Sequence, residues 1–437
     1  MKKLLKKIVT ALVWILIWEA VTLFVNNSII LAGPIDTVKR LAELLTQKTF
    51  YEDIFGSLIR IVLALVFSVS IAAFSAAVSY RFSAVKEFLS PFVSFIKSVP
   101  VAAISVILLI MTGSKNITFF VSFMVVFPIV YENILEGLDE TPKDILEMAG
   151  VYHISAFRKM VYIYLPQVMK HLSGSIKSIV GICFKSGVAA EIIGLPVCSL
   201  GSGIYKSKIV LDTAGVFAYT VVVVLLSIFL EKIVELGASK ISPENWKHIN
   251  IRPSIKTGEI SDFRELELQE VSFSYQEESI LEAFDGRYKP GQIYYLDSPS
   301  GTGKTTLLNI ISGLRIPQKG KLVPDKVKVS YQFQEDRLIS YLGAYQNIAL
   351  VSDKYSEEEI KQMINDFIPG AEGKKVSELS GGMKRRVSLL RALCYDSEWI
   401  LLDEPFAGLD EENIMLANTY IKKLSGKRGV IIATHIK

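Results

Sequence analysis

The stretch YLDSPSGTGKTTLLNIISG, Tyr295 to Gly313, joins an apolar strand to an apolar helix through a glycine-bearing turn. In the pattern G-x-x-x-x-G-K-[ST], backbone N–H groups of such a turn cradle phosphates. The lysine neutralises β/γ oxygens and the hydroxyl ligates Mg2+. Gly303, Lys304 and Thr305 stand in register, and the helix behind them offers its N-terminus to the same anion. Ser298 stands where the pattern asks for its first glycine. Serine adopts most turn conformations and is strained only where φ must be positive. The expectation is a loop that still binds nucleotide through Ser298, Ser300, Gly301, Thr302, Gly303, Lys304, Thr305 and Thr306. The alternative is a ligand-free strand–helix turn.

Working outward, EWILLDEP is an apolar strand ending in Asp403 and Glu404. There the aspartate can hold Mg2+ through water and the glutamate can polarise an attacking water. Between these motifs lies LSGGMKRR, Leu379 to Arg386, a second anion-binding helix start. One chain needs one phosphate cradle, so a second one is best explained if it serves a neighbour's nucleotide. Arg385 and Arg386 are expected on a solvated helix face. From Phe263 onward, short apolar strands alternate with helical stretches, the pattern of an α/β domain with a largely parallel sheet.

With these motifs in order, residues 263–437 resemble the ATPase domain of ABC transporters. The resemblance implies ATP and Mg2+ as cofactors, with Lys304, Glu404 and His435 catalytic and Asp403, Thr305 and Gln334 at the metal. Tyr275 in VSFSY matches the aromatic that stacks on adenine, and Gln334 in YQFQEDRL matches the glutamine that senses Mg2+ and the membrane domain. Ser380, Gly381 and Gly382 match the signature that caps the partner subunit's ATP. AGLD, ending at Asp410, matches a further nucleotide-site loop, and His435 in IIATH matches the switch histidine. The spacings, 23 from Ser380 to Asp403 and 31 from Glu404 to His435, are normal for the family. Two departures accompany Ser298. Only 30 residues separate Lys304 from Gln334, and the sequence stops two residues after His435. Relatives continue through at least one more strand and helix, so a minimal or truncated domain is expected. Its sheet is expected to expose an edge and to leave His435 on a fraying terminus.

The first half has a different texture. At 437 residues the chain has room for two or three domains, and half its residues are hydrophobic. Residues 1–240 hold 22 Lys and Arg against 16 Asp and Glu, the remainder 26 against 28. A net +4 gives no reason to propose nucleic-acid binding. The three cysteines share no metal-type spacing and read as structural filler. Six stretches approach the roughly 20 apolar residues that span a bilayer: about 8–30, 57–80, 88–112, 116–137, 168–195 and 214–236. The first, MKKLLKKIVTALVWILIW, lacks a small-residue cleavage site and is read as a retained membrane helix. Glu19, Lys97, Pro100, Lys177, Lys185 and Glu191 interrupt these stretches, which indicates a bundle with a polar interior. Lys185 and Glu191 are expected to pair with neighbours or line hydrated cavities. A nucleotide site must face the cytosol, which places the N-terminus and residues 138–167 inside. Ten basic residues then lie inside against six outside, the sign expected of cytoplasmic loops.

The inner segment EMAGVYHISAFRKMVYIYLP, Glu147 to Pro166, resembles the coupling motif of binding-protein-dependent importers, E-A-A-x3-G-x9-I-x-L-P. Glu147, Ala149, Ile163, Leu165 and Pro166 match, while Met148 replaces an alanine and His153 the glycine. In that family this helix seats on the ATPase and carries its closure to the membrane helices. Residues 30–235 look most like permeases for nitrate, sulfonates, taurine and thiamine precursors.

The expected architecture is an α-helical polytopic membrane domain over 1–238 with its coupling segment at 138–167. A linker at 239–262 and an α/β P-loop ATPase domain at 263–437 follow. The expected function is ATP-driven import of a small, anionic or vitamin-precursor solute across the cell membrane. Its partners would be a second copy of the chain, an extracellular binding protein and membrane lipid. An exporter, a non-transporting regulator with a weakened ATPase, and a heterodimer are the alternatives.

Overall fold

A computed structural model describes residues 2–241, 251–253, 263–276, 278–297, 299 and 302–435. Ser298, Ser300 and Gly301, which the sequence assigns to the phosphate loop, lie outside the described residues, as does most of the 239–262 linker. The chain divides into two compact units, Met1–Glu140 with Gln167–Ile241, and Thr141–Pro166 with Ser242–Lys437. The segment assigned by sequence to the membrane domain therefore groups with the second unit. Its apolar side chains pack into that unit's core, although its two ends belong to the first.

The first unit is all helical. Lys48–Arg81 buries Ser57, Ile61, Ala64, Leu65, Ser68, Ala72, Ala76 and Ser79, one face at helical spacing. The small side chains on that face allow Ile117–Asp139 close approach. Phe127, Val130 and Tyr131 complete the core, and the Tyr131 hydroxyl donates to Ser79 Oγ at 2.9 Å. Each of the six apolar stretches overlaps a helix, although the first helix, Lys2–Val25, ends before residue 30 and carries only a shorter apolar segment, Leu12–Val25. Three are long and apolar enough to cross a membrane: Lys48–Arg81, Ile117–Asp139 and Thr213–Lys240. The stretch at 88–112 is not one continuous helix. Ser83–Ser98 and Val101–Thr112 are bent by 108° and make a fourth span only if counted together. Pro100 explains the break: it lacks an N–H and drives Val99 to an extended conformation (φ −81°, ψ 129°). Leu165–Gly194 is 30 residues long but diluted by Lys170, Lys177, Lys185 and Glu191.

The second unit is α/β. Strands β1 (Leu266–Tyr275), β2 (Glu278–Tyr288) and β4 (Lys319–Val323) form an antiparallel sheet in the order β2-β1-β4. Strands β3 (Ile293–Leu296), β5 (Val329–Gln332), β6 (Trp399–Asp403) and β7 (Gly429–Ala433) form a parallel sheet in the order β3-β7-β6-β5. Every residue of β6 and β7 is buried, as expected of parallel strands covered on both faces. Gly429 lies opposite Trp399, where a Cβ would come within 2.2 Å of the indole. Among the described residues the parallel sheet has its edges at β3 and β5. β7 is interior, bonded to β3 on one side and β6 on the other.

Candidate nucleotide site and coupling seat

Strand β3 leads through the loop to the helix Lys304–Ile311, whose N-cap is Gly303 at φ +85°. That left-handed conformation, with a would-be Cβ 2.8 Å from Ile280, requires glycine. Thr302 donates its hydroxyl to the Pro299 carbonyl at 2.8 Å, and Thr306 is buried beneath the turn. The Lys304 ammonium lies 3.1 Å from His435 Nδ1 and 3.3 Å from Nε2, and His435 Nε2 lies 3.1 Å from Glu404 Oε1. The ammonium only donates and the carboxylate only accepts, so the imidazole stands between a donor and an acceptor. His435 is thus held in the site from both sides, which corrects the expectation of a misplaced terminal residue. Glu404 is in the left-handed region (φ +52°), its N–H donating to the Ala433 carbonyl at 2.8 Å.

Asp403 ends β6 almost fully buried. Burial raises its carboxyl above the usual range, the Thr305 hydroxyl bond pulls it back in part, Glu404 raises it, and Arg385 and Lys304 lower it. Its Oδ2 is buried without a hydrogen-bond partner among the described residues. A desolvated carboxylate oxygen with no donor, beside a threonine hydroxyl, is a donor set that fits a hard divalent cation such as Mg2+.

Other candidates are placed apart from this cluster. Tyr275 closes β1, partly exposed and edge-on to Phe273 at 5.0 Å. Gln334 lies on an exposed turn. Ser380 caps the helix Gly381–Leu393 by accepting from Met383 N, and a Cβ on Gly381 would meet nothing within 4 Å. Asp410 caps Glu411–Ser425 by accepting from Asn413 N at 2.9 Å. Among the described residues, no hydrogen bond joins Ser380, Asp410 or Tyr275 to the lysine–histidine–glutamate cluster.

Arg385 is the main residue that sequence reasoning missed. It is 5% exposed rather than solvated. Its guanidinium donates to the carbonyls of Phe333 (3.0 Å), Gln334 (2.8 Å), Asp403 (3.2 Å) and Glu404 (2.6 Å), and to the Asp336 carboxylate at 3.1 Å. One side chain from the signature helix thereby pins the Gln334 turn to the end of β6. Arg391, two turns on and fully buried, donates to the carbonyls of Arg337 and Asp336 at 2.7 and 3.0 Å. Arg386 is half-buried and donates to the Phe367 carbonyl at 2.8 Å. No helical periodicity announces these roles, because the accepting loops are remote in sequence.

The coupling candidates meet the same structure. The helix Lys143–Val151 buries Met148, Ala149 and Val151 in one core with Leu307, Tyr331, Phe333 and Leu350. Glu147 pairs with Arg337 at 2.8 Å and faces Arg315 at 3.8 Å. The Tyr152 hydroxyl donates to the Tyr331 carbonyl at 2.9 Å, the Tyr341 hydroxyl to the Tyr162 carbonyl at 2.6 Å, and Arg158 to the Leu350 carbonyl at 2.9 Å. Leu165 packs against that core, and Pro166 is buried just after a π-helical turn, Met160–Tyr164. His153 is exposed at φ +48°, which explains why the motif places glycine there.

Comparison with known proteins gives two families. Residues 281–407 match the family described as ABC transporter. Residues 68–242 match the family described as binding-protein-dependent transport system inner membrane component. The spermidine/putrescine import ATP-binding protein PotA of Spiroplasma citri is 35% identical over 189 residues, covering 39% of this chain and 54% of that protein. The chain thus spans about half the length of that curated relative. A putative ABC transporter ATP-binding protein from Pyrococcus furiosus has a solved structure that aligns at 26% identity and TM-score 0.37. It covers 40% of this chain and 92% of its own. The cbiO1 protein of Clostridium perfringens aligns at 24% identity and TM-score 0.33, covering 39% and 78%.

Proposed function

We propose that this chain, whose residues 68–242 match an inner membrane component of binding-protein-dependent transport systems and whose residues 281–407 match the ABC transporter family, is a fused permease and ATPase that imports a small solute by hydrolysing ATP. The observation that carries the reading is the seat of Glu147 on Arg337. It binds the segment lying in sequence between two membrane-unit helices into the unit that holds Lys304, Glu404 and His435. A change in the Gln334 turn, which Arg385 and Arg391 tie to β6 and the signature helix, is then transmitted through Arg337 to Glu147.

In this reading Lys304 and the loop around Gly303 bind the phosphates, and Glu404 orients the attacking water while His435 holds its carboxylate in place. Tyr275 stacks on the base. Thr305 and Asp403, with Gln334, would hold Mg2+, which supplies positive charge to the β- and γ-phosphate oxygens. Ser380, Gly381, Gly382 and Asp410 belong to a composite site completed by a second copy, which is why they stand free of the Lys304 cluster. An extracellular binding protein delivers the solute, a small anion or vitamin precursor. The permease family is that of binding-protein-dependent systems, which weighs against an exporter. The intact Lys304–His435–Glu404 arrangement weighs against a regulator with a decayed ATPase.

Glu404→Gln tests the assignment in proteoliposomes. It should leave ATP binding unchanged and lower hydrolysis by about 100-fold or more. Undiminished turnover would remove Glu404 from its role, and ATP-driven efflux in place of uptake would reverse the direction proposed.

A further inference from the structure

The polar linker at 239–262 contains one short described piece beyond its first residues: Ile251, Arg252 and Pro253. It forms neither helix nor strand. Proline supplies no N–H and drives the residue before it toward an extended backbone. Outside any sheet, such a backbone needs side chains to satisfy its carbonyls, and both carbonyls before the proline are taken. The Tyr345 hydroxyl donates to the Ile251 carbonyl at 3.0 Å, and Arg158 Nη2 donates to the Arg252 carbonyl at 2.8 Å. The Ile251 side chain is 1% exposed, in the core that also holds Met148, Tyr152, Ile154 and Leu350. A passive tether has no reason to bury a whole isoleucine.

These residues meet both sides of the coupling seat. Arg158 stands on the helix Ala156–Lys159 of the 141–166 segment, and its Nη1 donates to the Leu350 carbonyl at 2.9 Å. Tyr345 stands on Ala344–Ala349, the helix that leads into Leu350. One guanidinium therefore holds two carbonyls, one from the linker and one from the ATPase core, as its planar fork allows. Glu147 on Arg337 anchors the helix Lys143–Val151, and the Arg158 junction anchors the helix that follows it. We propose that residues 251–253 are a clip: they hold Arg158 on the ATPase core, so that a nucleotide-driven change reaches 143–165 only while Ile251 is seated. This rests on the reading of Glu147 to Pro166 as the coupling segment and adds the linker as a third part of that contact.

Hydrogen exchange on the full chain in lipid nanodiscs tests the clip, with and without Mg2+ and the non-hydrolysable ATP analogue AMP-PNP. In the parent protein the analogue should slow exchange over 304–311 and alter it over 143–165. Ile251→Ala should keep the response at 304–311 and lose the one over 143–165, where unliganded exchange should also rise about tenfold. Ile251→Val keeps most of the buried volume and should behave as the parent. Arg158→Ala removes the junction without opening the core and should reproduce the Ile251→Ala pattern, with the double variant no worse than either. Arg252→Ala should change nothing, because alanine retains the carbonyl that Arg158 holds. Strands β6 and β7 should exchange alike in every variant, which separates loss of the clip from loss of the fold.

Parent-like exchange over 143–165 in Ile251→Ala or in Arg158→Ala would overturn the proposal and leave the linker a tether. So would a segment that exchanges faster yet still answers to the analogue. Were the parent itself silent over 143–165, the coupling reading would fall. The unliganded rise in Ile251→Ala needs neither nucleotide nor a known solute, and it upholds or sinks the seating of Ile251 by itself.

Discussion

In the helical unit Arg60, Lys97 and Lys177 each face a carboxylate, whereas in the α/β unit Arg385, Arg391 and Arg428 face main-chain carbonyls. Lys97 and Lys177 are exposed and Arg60 is mostly buried, and the contrast follows from what each unit has to offer a cation. Membrane helices bond their own carbonyls internally, so a charge among them must meet another charge. An α/β domain carries loops whose carbonyls lack partners, and a guanidinium with five donors in a planar fork satisfies several at once. Arg428 illustrates the second solution. It donates to the carbonyls of Leu393 (3.0 Å), Tyr395 (2.8 Å) and Ser425 (3.1 Å), and also to that of Leu424. A carboxylate partner in the membrane neutralises; an arginine in the ATPase shapes loops.

The two arrangements should fail differently. Arg385→Ala leaves four carbonyls around Gln334 and Glu404 without their donor, and it should destabilise the ATPase domain by about 3–5 kcal/mol. Hydrolysis should be lost, and Arg385→Lys should not restore it, since an ammonium cannot reach both loops. Thermal unfolding and ATPase rates check this, and full activity in the lysine variant would break the comparison.

Arg60→Met should cost about 3 kcal/mol by stranding Glu191, which is completely buried and also accepts from Ser57 Oγ (2.6 Å) and Gly201 N (3.2 Å). Adding Glu191→Gln should recover more than half of that loss in detergent melts. No single second change should do the same for Arg385. Absence of recovery would mean that Arg60 also acts through its bond to the Cys198 carbonyl at 2.8 Å.

The smallest effect is expected at the coupling seat, where Glu147 and Arg337 are both partly solvated. Glu147→Gln should lower uptake by about threefold to fivefold, the scale of an ion pair worth up to about 1 kcal/mol. Basal hydrolysis should survive. Arg337→Gln should match it, and the double variant should be no worse than either, as a shared interaction requires. Additive losses would separate the two residues.

Lys304, Asp403, Glu404 and His435 were legible in the sequence because phosphate and metal chemistry demands particular residue types on short local segments. So was the segment Glu147 to Pro166, whose Glu147, Ala149, Ile163, Leu165 and Pro166 stand in register with one motif. Arg385 was not legible. In KRR it looks like a solvated helix face, and only the return of the Phe333–Asp336 loop over that face converts it into a clamp. Pro100 was visible as an impurity of the 88–112 stretch, but the 108° bend was not, because hydropathy reports composition and not continuity. His153 offered no sign of its left-handed backbone beyond the glycine that the motif expects.

By itself the sequence determined two chemically distinct halves, a glycine-bearing strand–helix turn, an acidic strand end and an apolar first half divided into helices. Each depends on neighbours within a turn or a strand, and local physics is written in consecutive residues. Tertiary structure alone decided that β7 is interior, that His435 joins Lys304 to Glu404, and that the Glu147 helix belongs to the ATPase core. Those outcomes depend on groups up to 190 residues apart meeting across packed elements. No local pattern specifies such meetings, because burial and partner choice are settled by the shape of the whole fold.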